Sequence, residues 1–305
     1  MGEAGEINAV IHGLALATEF CTAATRARVT DRAIARVGAA QAEERFLIAP
    51  AIAINRHRNG RATRALGALQ VCAEKLKRRR VHLARSVATE ACRRAENGAE
   101  FIERVRRETG IALDIISAKE EARLAVISCA PLVNPRTEQL LVVDIGGGST
   151  ELVWIDLSAV PAEERPQSIM RLHRGFAPEH AQSARVVDWI SVPLGVATLK
   201  DQFADVEDDA ARFALMSWYF EENLASFSPY NRENPREGFQ IIGTSGTVTT
   251  VAASYLNLRR YDRTKVDGLQ MTSDQIDSVI RDYLSLGPEG RRTDPRIGRD
   301  RHALV

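Results

Sequence analysis

The stretch Leu140–Asp156, LLVVDIGGGSTELVWID, limits the possible folds of this chain more than any other part of it. Two short apolar runs, Leu140–Val143 and Leu152–Ile155, flank three consecutive glycines, Gly146, Gly147 and Gly148, with Asp144 before the turn and Glu151 after it. β-Branched and aromatic residues on both sides of a glycine-rich turn predict a hairpin. Three glycines exceed what a two-residue turn needs. Without a Cβ in the way, successive N–H groups can converge on an anion, and Ser149 and Thr150 add hydroxyl donors. Two carboxylates would repel a bare phosphate, so the pattern points to a hard cation, Mg²⁺, between the acids and phosphate oxygens. The alternative is a plain glycine-rich hairpin with solvated acids at its ends.

Composition narrows the function classes. At 305 residues the chain is long enough for two domains and a substantial core. Lys+Arg number 41 and Asp+Glu 40, a net charge of +1, so no global field favours nucleic acid or an anionic membrane as partner. Cys21, Cys72, Cys92 and Cys129 are scattered without a C-x-x-C pair, which is neither a zinc framework nor a disulfide scaffold and suits a reducing compartment. No apolar run reaches the roughly 20 residues of a membrane-spanning helix. With Glu3 and Glu6 at the amino terminus in place of a basic leader, a soluble cytoplasmic protein is expected.

Residues 1–60 are rich in alanine and arginine with weak periodicity; a helix over Val10–Thr22 and a buried strand over Phe46–Ile54 are the readings they allow. From Arg61 the text is regular. Ala65, Leu66, Leu69, Val71, Cys72 and Leu76 form a helical stripe ending in the basic run Lys75–Arg80, most simply a solvated helix end. Arg85–Thr89 and Leu113–Ile116 read as strands. Asn97 with Glu100 predicts a capping box for a helix to Thr109, and Ser117 with Glu120 one for a helix through Ser128. Glu120 would then serve the helix start, while Glu121, about 100° further round, is free for other work. This strand–helix alternation predicts an α/β sheet. Residues 157–188 lack a period, and order returns with a strand at Trp189–Leu194 and a helix from Gly195. Ala210–Leu224 and the segment capped by Thr272 and Gln275, to Leu284, read as further helices.

A second loop, Gly243-Thr-Ser-Gly-Thr247, sits between the apolar strand Phe239–Ile242 and a helix start. Free N–H groups and the positive end of the helix dipole favour an anion there. It is neither a nucleophile elbow nor a Walker A loop, because the second glycine comes one residue after the serine and no lysine follows.

Four blocks together resemble one family, the exopolyphosphatase/guanosine pentaphosphate phosphohydrolase (Ppx/GppA) family of the actin-like ATPase superfamily. They are Ser86-Val-Ala-Thr-Glu-Ala-Cys-Arg-Arg94 with Asn97-Gly98, Ile115-Ile-Ser-x-x-Glu-Glu-Ala-Arg-Leu124, Val143-Asp-Ile-Gly-Gly-Gly-Ser-Thr-Glu-Leu152, and the later landmarks Ser191-Val-Pro-Leu-Gly195 and Gly243-Thr-Ser-Gly-Thr247. The similarity runs from about Arg61 to the end. It implies two α/β domains of the ribonuclease-H-like, actin-like kind with an interdomain cleft, over residues 1–117 and 118–305. It also implies Mg²⁺-dependent hydrolysis of a terminal phosphoanhydride in polyphosphate or pppGpp. By motif position, Glu121 would be the base that activates water, and Asp144 and Glu151 would hold the metal. Gly146, Gly147, Gly148, Ser149, Thr244, Ser245, Gly246 and Arg93 would hold phosphate. Such chemistry needs an in-line water, a bridging cation and fixed donors, and little covalent work from the protein.

The chain departs from the family at its start: the first phosphate loop, D-x-G-S/T-N-S, does not occur in residues 1–60. The first domain is therefore expected to be incomplete, with residues 1–60 arising from a shifted reading frame or misassigned start. The final helical segment, opened by Ile297–Arg301, is expected to be cut short. Alternatives to a polyphosphate hydrolase are a pppGpp phosphatase and a non-catalytic polyphosphate- or nucleotide-binding relic, with a homodimer open as the assembly. Another actin-like ATPase, such as a sugar kinase, is argued against by the Glu-Glu-Ala-Arg-Leu block.

Overall fold

The computed structural model describes residues 9–12, 45–48, 59–81, 84–172, 176–178, 180–227 and 238–297. The chain divides into two compact units, Ala15–Ala118 and the larger Lys119–Val305 together with Met1–Leu14.

The smaller unit holds a parallel sheet, β2 (Arg45–Ile48), β3 (Ala84–Ala88) and β4 (Leu113–Ile115), in that order. Its helices are α1 (Asn59–Arg78), α2 (Glu90–Arg94) and α3 (Gly98–Thr109). Ala65, Leu66, Leu69 and Cys72 of α1 bury against Ala88, Phe101, Val105 and Leu113. Val71, expected in this stripe, is 41% exposed, because it lies about 200° round the helix from Leu69. The capping box expected at Asn97 does not form; the Asn97 side chain makes no cap bond. The residue that matters there is Gly98, where a Cβ would lie 2.3 Å from the Cys92 carbonyl oxygen.

The larger unit is built on a six-stranded sheet of order β7-β6-β5-β8-β1-β9. Its strands are β1 (Ala9–His12), β5 (Gln139–Ile145), β6 (Thr150–Asp156), β7 (Arg185–Val192), β8 (Phe239–Thr244) and β9 (Leu269–Met271). β5, β6 and β7 are antiparallel neighbours, β8 runs parallel to both β5 and β1, and β9 closes the far edge antiparallel. Ala9–His12 is a strand where a helix over Val10–Thr22 was expected, since β8 offers it a parallel partner that local propensity does not reveal. The rest of that span, and most of Phe46–Ile54, lies outside the described residues.

Seven helices of this unit fall among the described residues: α4 (Ala118–Cys129), α5 (Arg165–Met170), α6 (Val196–Gln202), α7 (Asp209–Leu224), α8 (Ser245–Tyr255), α9 (Arg263–Val266) and α10 (Ser273–Thr293). The sheet is covered on both faces, which is why Leu140–Val143 reads as a continuous apolar run. Leu140, Val142, Val153, Ile155 and Ile242 pack with Ala122, Val126 and Cys129 of α4. Leu141, Val143, Leu152, Trp154 and Val192 point the other way, toward Leu224 and Tyr219 of α7. Residues 157–188, read as irregular, contain α5 and the first half of β7, which starts at Arg185 rather than Trp189. The Thr272–Gln275 capping box forms in both directions, at 2.9 and 3.3 Å. Its helix runs to Thr293, past the expected end, after a break at Gly287. Among the described residues, no helix is long and apolar enough to cross a membrane.

Candidate active site

Strand register assembles the site. The β5–β6 hairpin pairs Asp144 with Glu151, β8 sets Thr244 beside Asp144, and β7 sets Ser191 beside Glu151. Paired positions share a face of a sheet, so Ser191, Glu151, Asp144 and Thr244 form one row across four strands. Two residues back along each of the three central strands, Val153, Val142 and Ile242 belong to the core under α4. The acids therefore stand on the face that α4 covers. Glu121, in the first turn of α4, is near enough for its charge to act on both.

The electrostatics follow from this crowding. Burial and the Glu121 charge push Asp144 up to about 7, against the Ser245 hydroxyl that bonds to it. Glu151 is 2% exposed. Burial, Glu121 and Asp144 push it up to about 8, while the Ser191 and Ser149 hydroxyls pull the other way. The Ser191 hydroxyl donates to Glu151 Oε1 at 2.8 Å. Like charges directly opposite in a sheet are destabilising. A divalent cation is the group that would relieve three acids so placed. Among the described residues, no three His, Cys, Asp or Glu side chains close into a complete ligand set. Mg²⁺ takes one or two carboxylates and fills its other positions with water and phosphate. Asp144 and Glu151 fit that role.

The glycine turn is arranged unevenly. The Gly146 amide donates to the Ser149 carbonyl at 3.0 Å, so it is committed within the turn and is not a free phosphate donor as expected. The Gly147 and Gly148 amides have no acceptor among the described residues. Ser149 is buried, with its hydroxyl on Glu151. In the second loop Ser245 takes φ +79, a left-handed conformation costly for a non-glycine residue, and its hydroxyl meets Asp144. The Thr244 hydroxyl is buried without a partner. The Gly246 carbonyl accepts the Thr249 and Thr250 hydroxyls, which ties it into the start of α8.

Arg93 belongs to the smaller unit, where its guanidinium holds Glu90 Oε2 at 2.9 Å and the Ile116 carbonyl at 2.9 Å. Glu120 gives both carboxylate oxygens to Arg123, at 2.8 and 2.9 Å, and Arg123 also reaches the Leu172 carbonyl. Neighbouring acids thus have different partners, and Glu121 is the one that addresses the sheet. Sequence reasoning gave Ser191 no role. Its only signal was membership of the Ser191–Gly195 block, since its place opposite Glu151 depends on a strand pairing across forty residues.

Fold and site define a mixed α/β protein of the actin-like kind, with paired carboxylates behind a glycine turn. The chain belongs to the Ppx/GppA phosphatase family, whose sequence model matches residues 51–289. It is similar to Exopolyphosphatase 1 of Mycobacterium tuberculosis, 33% identical over 112 residues, covering 35% of this chain and 33% of that protein. The corresponding protein of Mycobacterium leprae is 32% identical over 117 residues, 37% of this chain and 34% of that one. The alignments thus span about a third of the length of these relatives. Among solved structures, the Aquifex aeolicus Ppx/GppA family member superposes with TM-score 0.57 at 28% identity, covering 81% of this chain and 70% of that one. An exopolyphosphatase from Cytophaga hutchinsonii shares the fold with TM-score 0.62 at 21% identity, covering 81% of this chain and 71% of that one.

Proposed function

We propose that this chain is a phosphoanhydride hydrolase that releases terminal phosphate from inorganic polyphosphate by attack of water. The observation that carries the reading is the row of Asp144 and Glu151 on one sheet face, under Glu121 and beside a turn with two uncommitted amides. In this reading Glu121 takes the proton from the attacking water, a step worth about 10²–10⁴-fold in rate. The Gly147 and Gly148 amides hold the terminal phosphate. Asp144 and Glu151 would hold Mg²⁺, which when bound supplies neutralisation of phosphate oxygens. The exopolyphosphatase names of the mycobacterial relatives support polyphosphate as substrate. The two units would be the two actin-like domains of the family, in a cytoplasmic protein.

A second reading, a polyphosphate- or nucleotide-binding relic, is favoured by the absence of D-x-G-S/T-N-S from residues 1–60. Phosphate release from long-chain polyphosphate and from pppGpp, with Mg²⁺ and then with excess chelator, separates these outcomes. Release from polyphosphate that stops with chelator is expected. Faster release from pppGpp would move the substrate assignment. Tripolyphosphate binding without release from either compound would select the relic, and release that persists in chelator would refute the metal role.

A further inference from the structure

The turn that presents the two amides is gripped from outside the hairpin. Gly195, just before α6, has extended backbone (φ −123, ψ 177), which any residue can adopt. Space is what requires glycine. A Cβ there would lie 2.4 Å from the Gly147 carbonyl carbon, 2.5 Å from the Gly146 oxygen and 2.6 Å from the Gly147 oxygen. These are backbone atoms of the glycine turn and cannot swing aside as a side chain would.

The next two amides bond to the same peptides, Val196 N–H to the Gly146 carbonyl at 3.2 Å and Ala197 N–H to the Gly147 carbonyl at 2.9 Å. The Thr198 hydroxyl accepts the Gly195 amide at 2.7 Å and fixes where α6 begins. The buried Thr150 hydroxyl donates to the Leu194 carbonyl at 2.7 Å, tying the junction to the hairpin a second time. In a trans peptide the carbonyl and the following N–H point in opposite directions. With the Gly146 and Gly147 carbonyls held by α6, the Gly147 and Gly148 N–H groups turn away from it. Leu194 and Leu199 pack in the cluster on the sheet face opposite the acids, so away from α6 is toward the acid row.

We propose that the segment Leu194–Thr198 is a template that orients the phosphate-holding amides, with Gly195 as its positioning residue. This rests on reading the glycine turn as the phosphate cradle. The test compares full-length wild-type, Gly195→Ala, Thr198→Val and Thr198→Ser chains. The readouts are kcat and KM for phosphate release from polyphosphate, calorimetric binding of tripolyphosphate with Mg²⁺, and metal-free melting. Losing one well-aimed hydrogen bond to phosphate is worth about tenfold in affinity. Gly195→Ala should therefore raise KM and the tripolyphosphate Kd about tenfold, with kcat within about threefold.

Partial unfolding alone would instead lower kcat at unchanged KM and Kd, and that pattern overturns the proposal. If Gly195→Ala does not fold, Thr198 decides: Val should raise KM and Ser should restore it, and wild-type KM in Thr198→Val overturns the proposal. A wild-type chain that binds no tripolyphosphate overturns the cradle reading and the template with it. Wild-type binding that Gly195→Ala leaves unchanged overturns the template alone.

Discussion

Replacing Glu151 with glutamine should stabilise the metal-free protein while removing its response to Mg²⁺. Glu151 is held among apolar strands with two other acids acting on it, and its carboxyl moves from an ordinary 4.5 up to about 8. The folded protein then keeps this proton to higher pH than the unfolded chain does. Between those two values the unfolded chain has lost more protons, so stability falls as pH rises through the window and levels off above it. Holding this proton from 4.5 up to about 8 sets an upper bound on the order of 5 kcal/mol, at about 1.4 kcal/mol per pH unit. Burying a glutamine NH₂ group costs about 1–3 kcal/mol of that, so a net gain of about 2 kcal/mol at pH 8 is expected. For a unit of this size that is about 4–8 °C in melting temperature.

Glutamine keeps an oxygen acceptor for the Ser191 hydroxyl, so the packing around the site is preserved. The assay is thermal melting in chelator and in Mg²⁺, at pH 5.5 and pH 8, for wild type and Glu151→Gln. Wild type in chelator should melt lower at pH 8 than at pH 5.5, and Mg²⁺ should raise it more at pH 8, where the carboxylates are ionised. The variant should melt higher than wild type at pH 8 in chelator and show no Mg²⁺ shift. A variant that melts no higher than wild type and keeps the Mg²⁺ shift would refute the reasoning, since the acid would then be neither strained nor a ligand.

Glu121→Gln should cut phosphate release by about 10²–10⁴-fold and leave tripolyphosphate affinity within a few-fold, as read by a release assay and calorimetry. Ser191→Ala removes the 2.8 Å bond to Glu151 and should weaken Mg²⁺ binding by about tenfold, measured by Mg²⁺ titration of the melting temperature. Asp209→Ala strips the partner from Arg291, which is 8% exposed and also bonds the Tyr283 carbonyl. A loss of about 1.5–3 kcal/mol by denaturant unfolding is expected, with partial recovery when Arg291→Met is added.

The hairpin was legible because a four-residue glycine turn between apolar runs determines its own register. Ile145 must face Thr150, and Asp144 must then face Glu151. Glu120 was expected to cap the helix start at Ser117; its carboxylate holds Arg123, a contact the sequence pattern did not point to, while the charge of Glu121 acts on Asp144 and Glu151. What failed was what tertiary pairing decides. The alanine-rich text around Val10 carries helical propensity, yet Ala9–His12 lies as a strand beside β8. Asn97 has the right chemistry for a cap, but its backbone sits at φ −102, ψ 20 rather than in the extended region typical of a capping residue, and its side chain makes no cap bond.

The same division runs through the site. Apart from Glu121 on α4, the groups proposed to touch a ligand lie in one short stretch, because a turn between two strands readily brings a carboxylate pair and free amides together. Groups that aim them come from elsewhere: Ser191 from β7, Gly195 and the α6 amides from beyond it, and Ser245 from the start of α8. A contact residue must carry a particular functional group and so leaves a chemical trace in the sequence. A residue that aims another needs only the right shape at the right distance. Gly195 has no side chain at all, and its requirement appears only when a Cβ is placed 2.4 Å from the turn it supports.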